Sequence, residues 1–265
     1  MPLSARQTNE LRVLLRRLAA AHAIATIPAG SGKALEAWTF MMLADAARRA
    51  PGWNVSLHQG DGSPLPNGNP FIFNGGPSGL PRAVGDTCFA RLRRGGNHPR
   101  TLELHHGLQH KGRSNARHEW DISLLPDQIT THIRASNIRY PRGLPFLGIE
   151  CKDKSTSGSA DEMRQTLARM FDLTHVSQLG IPLTYRMLDE NNAIGIGKRW
   201  SSYRKNFSKG IFGIVRMGGF QLGAHQMSNH YSIMQFGQIN VNSRNTGNAI
   251  KASMTNFLNN VDALY

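Results

Sequence analysis

The stretches HEWDISLLP (residues 118–126) and LPFLGIECK (residues 144–152) decide how this chain is read. Each is an apolar run interrupted by charge. In the second, Pro145 marks a turn, Phe146 to Ile149 are apolar, and Glu150 and Lys152 then bracket Cys151. Side chains alternate across a strand, so Glu150 and Lys152 project together while Ile149 and Cys151 take the other face. The same alternation places Glu119, Asp121 and Ser123 on one face of the first stretch and Trp120, Ile122 and Leu124 on the other. An ordinary half-buried strand would carry valine or threonine at the charged positions.

If the two strands are neighbours, the carboxylates of Asp121 and Glu150 converge. Two carboxylates on a mostly apolar sheet repel each other unless a cation sits between them. Hard oxygen ligands with open positions suit Mg²⁺, which keeps waters and accepts phosphate oxygens as further ligands. Lys152 beside such an ion would polarise or deprotonate an attacking water and offset charge building on phosphorus. The competing reading is a solvent-facing Glu150–Lys152 pair, which would add little stability.

Working outward, KGRSNA (111–116) reads as a turn joining residues 118–126 to a preceding strand over 100–110. Residues 52–82 are rich in Gly, Pro and Asn, with short strand-like pieces at 53–58 and 70–74. Residues 31–50 read as a helix closed by Pro51-Gly52, with Leu35, Trp38, Met42 and Ala46 on one face and Glu36 beside that stripe. Leu11, Leu14, Leu15 and Leu18 recur at i, i+3, i+4, i+7, which predicts an amphipathic N-terminal helix over 4–22. Downstream, 159–180 reads as a helix with Met163, Leu167, Met170, Phe171 and Val176 inward, and 181–188 as a further strand. Residues 127–143, carrying Arg134, Arg139 and Arg142, read as a connection. The order implies an α/β fold, a central mixed β-sheet flanked by helices.

At 265 residues, with 40% hydrophobic and 18% charged residues, the chain has the composition of an ordinary globular protein able to bury a core. No run approaches the roughly 18 apolar residues of a membrane span. Two cysteines, Cys88 and Cys151, give neither a disulfide framework nor a thiolate zinc set, which suits a reducing cytoplasm. The 31 Lys and Arg against 17 Asp and Glu leave a net charge of +14, which favours a polyanionic partner and salt-sensitive association. No acid falls between Glu190 and Asp262, an interval that holds Lys198, Arg199, Arg204, Lys205, Lys209, Arg216, Arg244 and Lys251.

Asp121, then Glu150-Cys151-Lys152, on two expected strands with a helix glutamate upstream, resembles the D…(D/E)xK motif of the PD-(D/E)xK, or restriction-endonuclease-like, nucleases. The element order over about residues 31–188 also resembles that core. The resemblance implies that Asp121 and Glu150 bind metal with the Cys151 backbone carbonyl as a further ligand. It makes Lys152 the catalytic lysine and Glu36 the supporting helix acid. It further implies Mg²⁺ (or Mn²⁺), hydrolysis of phosphodiesters in DNA more than RNA, and an endonuclease of defence, restriction or repair acting as a homodimer or higher oligomer. Two departures stand out. Trp120 precedes Asp121 where the family often has proline, and the two acids are far apart in sequence, so the chain between them must fold away from the site.

The segment GKRWSSYRKNFSKG (197–210) interleaves Lys198, Arg199, Arg204 and Lys205 with Trp200, Tyr203 and Phe207. Cations track phosphates and rings stack on bases, so this segment, with Arg139 and Arg142, is the expected nucleic-acid surface. The competing reading has the rings packing on the core. IPAGSGKALE (27–36) lacks the glycine at Ile27 and the hydroxyl at Ala34 that a phosphate-binding loop needs, and reads as a helix-start loop. His105, His106, His110 and His118 suggest zinc, yet His105 and His106 face opposite ways on one strand. They are read as partly buried, hydrogen-bonded residues; the alternative has Glu103 and His105, which share a face, lining the cleft beside Asp121. NVNSRNTGN (240–248) reads as a loop. Together these readings give one nuclease domain over 1–265, with a core of about 31–188 and a basic C-terminal extension. The main rival is a nucleic-acid-binding protein of the same fold that cuts nothing, and a second is a zinc hydrolase built on the histidines.

Overall fold

The computed structural model describes residues 5–18, 25–27, 32–174, 187–189, 203 and 206–264. Helix α1 (Ala5–Leu18) is followed by the short strand β1 (Ala25–Thr26) and by α2 (Lys33–Arg49). Strands β2 (Trp53–His58), β3 (Phe71–Ile72), β4 (Phe89–Arg94), β5 (Arg100–Lys111) and β6 (Arg117–Pro126) come next. Then follow α3 (Asp127–Ala135), β7 (Pro141–Gly143), β8 (Leu147–Lys152), α4 (Ala160–Leu173) and β9 (Met187–Asp189). The chain continues through β10 (Ile211–Arg216), α5 (Leu222–Tyr231), β11 (Met234–Phe236) and α6 (Ile239–Asn259), and closes in a 3-10 turn at Val261–Leu264.

The main sheet runs in the order β11-β10-β8-β6-β5-β4-β2, with β7 and β9 attached at its side, and β1 and β3 form a separate pair. Neighbours from β2 to β8 along this path are antiparallel, and β8, β10 and β11 are parallel. The architecture is therefore α/β with a mixed sheet between helices. No helix among the described residues is long and apolar enough to cross a membrane.

Helix α2 is buried from Leu35 through Ala47. One apolar stripe was expected, but the helix is covered on more than one side and buries Glu36, Thr39 and Asp45 along with its apolar residues. The sheet lies against it through Leu104, Ile122, Leu124 and Ile149, and Leu11 and Leu14 of α1 and Ile250 and Met254 of α6 join the same core. Trp38 Nε1 donates to Glu10 of α1 at 3.2 Å. On the opposite face of the sheet, Trp120, Phe212 and Ile214 pack with Met163, Met170 and Leu173 of α4 and Ala224 of α5.

Three expectations need correction. The C-terminal region is no appended extension: β10 sits between β8 and β11 and is buried along its whole length. Its sequence IFGIVR is the unbroken apolar run of a parallel strand covered on both faces, ended by one arginine. Residues 240–248 lie inside α6, with a kink at Asn242, and α6 packs on α2. Residues 127–143 hold α3 and β7 rather than plain connection. Val176 and residues 181–186 lie outside the described residues, and Met187–Asp189 pairs with β7, away from the main path.

Candidate active site

The site forms where β6 and β8 part. The two strands pair at Leu124↔Leu147, Ser123↔Gly148 and Ile122↔Ile149, and there the ladder ends. Just beyond, the Asp121 carboxylate enters the fork, and its Oδ2 accepts the Cys151 backbone N–H at 2.6 Å. A side chain thus takes the place of the carbonyl that a continued ladder would supply.

The cause is a break in the expected alternation. Trp120 does not share the face of Ile122 and Leu124. It packs on the α4 side, while they pack on the α2 side. The break falls at Asp121, opposite Gly107, which lies between the pairs His106↔Ile122 and Leu108↔Trp120 and has φ +60°. That left-handed backbone suits glycine. Gly148 completes the arrangement, because a β-carbon there would lie 2.6 Å from the Trp120 ring.

Glu36 stands in the first turn of α2, with Lys33 Nζ 2.8 Å from its carboxylate. Glu150 is gripped from two sides: Lys152 Nζ lies 2.5 Å from Oε1, and Arg169 of α4 donates to Oε2. The Arg169 guanidinium rests on the Trp120 ring, 4.8 Å from its centroid. The structure therefore brings Glu36, Asp121, Glu150, Cys151 and Lys152 to one place. It adds Glu119 and Lys33, to which the sequence reading gave no role at the metal site, and Arg169, which it did not single out.

The electrostatics are those of a crowded acid site. Burial, with the charges of Glu150 and Glu36 added to it, pushes the Asp121 carboxyl well above the usual range. Burial likewise raises Glu36, despite Lys33, and raises Glu119. Glu150 goes the other way: burial opposes its charge, but Arg169 and Lys152 outweigh it and hold its pKa down. For Lys152, burial works against the charged form, yet Glu150 outweighs it and keeps the ammonium protonated beyond its ordinary range.

Asp121 is a buried carboxylate beside Glu150, Glu36 and Glu119, and carboxylate oxygens are the donors that an oxygen-seeking divalent cation takes. In this structure Glu150 is turned to Lys152 and Arg169. Among the described residues, no group of three or more His, Cys, Asp or Glu side chains is placed to hold a metal ion.

The histidines are dispersed. His106 Nδ1 accepts the Asn74 N–H at 3.0 Å, and burial holds its pKa down at about 3. His118 pairs with Asp172 at 2.7 Å, and His110 is buried, its pKa pushed down to about 3. His105 does bond Glu103, but this pair does not line the Asp121 cleft. Glu103 is fully buried and is held by Arg91 at 2.8 Å and Arg134 at 2.7 Å in a separate ionic knot.

The expected nucleic-acid contacts divide. Arg139 is exposed, beside the Tyr140 ring. Arg142 is only 7% exposed and donates to Asn115 at 2.6 Å, so it is not presented to a polyanion. Tyr203 is 2% exposed, stacks on Phe171 at 4.0 Å and accepts a hydrogen bond from Arg113, and Phe207 is also buried. These two rings belong to the core, as the competing reading had it. Lys198, Arg199, Trp200, Arg204 and Lys205 lie outside the described residues.

Arg169 did leave a trace in the sequence: a basic residue bordering the buried stripe Met163, Thr166, Met170 of α4, much as Glu36 borders that of α2. Comparison with protein-family models, curated proteins and solved structures finds no match to this chain.

Proposed function

We propose that this protein is a metal-dependent nuclease of the restriction-endonuclease-like type, hydrolysing phosphodiester bonds of DNA. The observation that carries the reading is the Asp121 carboxylate wedged into the β6–β8 fork, its charge disfavoured by Glu150 and Glu36, with the Lys152 ammonium bound to Glu150. Asp121 and Glu150, with the Cys151 carbonyl, would hold Mg²⁺ or Mn²⁺, and Glu36 would support them. The bound ion would supply Lewis acidity toward the phosphate and a lowered pKa of bound water. Lys152 orients or activates the attacking water and offsets negative charge on the phosphoryl oxygens. The net charge of +14 draws the polyanion to the site.

A second reading, a nucleic-acid-binding protein that does not cut, is favoured by one observation: Glu150 is already neutralised by two basic groups. Incubating plasmid and linear DNA with Mg²⁺, Mn²⁺ or chelator separates the two. Metal-dependent nicking or linearisation supports the nuclease. Salt-sensitive retention of DNA with no product under any metal supports the silent binder.

A further inference from the structure

We infer that Lys152 and Arg169 together form an anion seat for a phosphodiester group, and that Glu150 fills this seat until the phosphate arrives. The inference rests on the nuclease reading but is tested apart from it. One carboxylate engages both an ammonium, at 2.5 Å through Oε1, and a guanidinium, through Oε2. Two charge-assisted donors converging on two oxygens of one anion is the arrangement that also binds a phosphate.

The seat is built, not incidental. Arg169 is fixed by the Trp120 face, and Trp120 is fixed in turn by its close approach to Gly148. The seat is also reachable: the side chains of Lys152 and Arg169 are 28% and 19% exposed, against 13% for Glu150. Glu150 cannot serve both roles, however. When it turns toward Asp121 to share a cation, both basic side chains are released to the incoming phosphate, and Arg169 becomes a catalytic residue touching the substrate.

The test uses inorganic phosphate as probe, in chelator and at neutral pH, with binding read by titration calorimetry. Glu150→Ala empties the seat and should bind phosphate about tenfold or more tightly than wild type, the scale of a charge-assisted contact. Adding Arg169→Ala to that variant should abolish the gain, and Arg169→Lys should restore part of it. Circular dichroism confirms the fold of each variant, and Glu150→Gln, which keeps the side-chain shape, serves if the alanine variant is unfolded. No gain in the Glu150 variants, or a gain that survives loss of Arg169, overturns the seat. DNA cleavage by wild type, followed in parallel, separates the two proposals. Cleavage without the phosphate gain refutes the seat alone, and the gain without cleavage under any metal refutes the hydrolase and leaves the seat standing.

Discussion

Asp121→Asn should stabilise the metal-free protein while abolishing cleavage. The asparagine carbonyl can still accept the Cys151 N–H, so the bond made by Asp121 Oδ2 at 2.6 Å, worth about 1 kcal/mol net, is retained. What is removed is a charge opposed by burial, Glu150 and Glu36. A single stabilising substitution commonly yields about 0.5–2 kcal/mol, or roughly 2–4 °C in Tm per kcal/mol for a domain of this size. The sign follows from linkage. Because the folded-state pKa of Asp121 is raised, its contribution is fully present below the ordinary aspartate value of about 3.9 and is lost as pH rises through the folded value. The variant should therefore match wild type in acid and exceed it increasingly toward neutral pH, measured by urea denaturation in chelator. Mg²⁺ at about ten times its Kd should then add roughly 1.4 kcal/mol to wild type and nothing to the variant. A variant less stable than wild type across the pH range, or equal stabilisation of both by Mg²⁺, would refute the reasoning.

Lys152→Ala should lower the cleavage rate by about 10²–10³-fold while costing DNA affinity, measured by gel shift in chelator, no more than one phosphate contact; unchanged cleavage removes Lys152 from the site. Gly148→Ala places a β-carbon 2.6 Å from the Trp120 ring. It should cost about 1–3 kcal/mol by overpacking, with cleavage falling as the platform under Arg169 shifts, and a variant with native stability and rate would show that the close approach is unimportant. Glu103→Ala strips the common partner from Arg91, Arg134 and His105 in a fully buried knot. It should cost about 3–5 kcal/mol by urea denaturation, and a loss within ±0.5 kcal/mol, as for a surface change, would contradict the burial of those charges. DNA affinity should fall with salt at a log–log slope of about −0.9 per phosphate neutralised, whereas a flat dependence would mean that the basic surplus does not meet DNA.

The strands that carry the site were legible because their chemistry is local. Apolar runs flanking Asp121 and Glu150 are buried on sheet faces wherever they fold, and Glu36 announced itself as a charge bordering an apolar helix stripe. The facing of Trp120 was not legible, because it depends on a left-handed glycine, Gly107, on a neighbouring strand. Arg169 could be noticed but not assigned, since its role is set by packing on Trp120 and pairing with Glu150, 19 residues away. The C-terminal third was misread for two reasons. IFGIVR is too short and too uniformly apolar to show a period, and the Asn- and Ser-rich start of α6 has loop-like composition but is held by Ile239, Ile250 and Met254 in the core. The same limit applies to Tyr203, whose aromatic ring is equally suited to a base or to Phe171.

Anomalous scattering from crystals of the full chain grown with Mn²⁺ would locate the ion itself. A peak in the β6–β8 fork, bounded by Asp121, Glu150 and the Cys151 carbonyl and lost in Asp121→Asn, is the expected result. Bound manganese found anywhere else, with the fork empty, would contradict the assignment of this site.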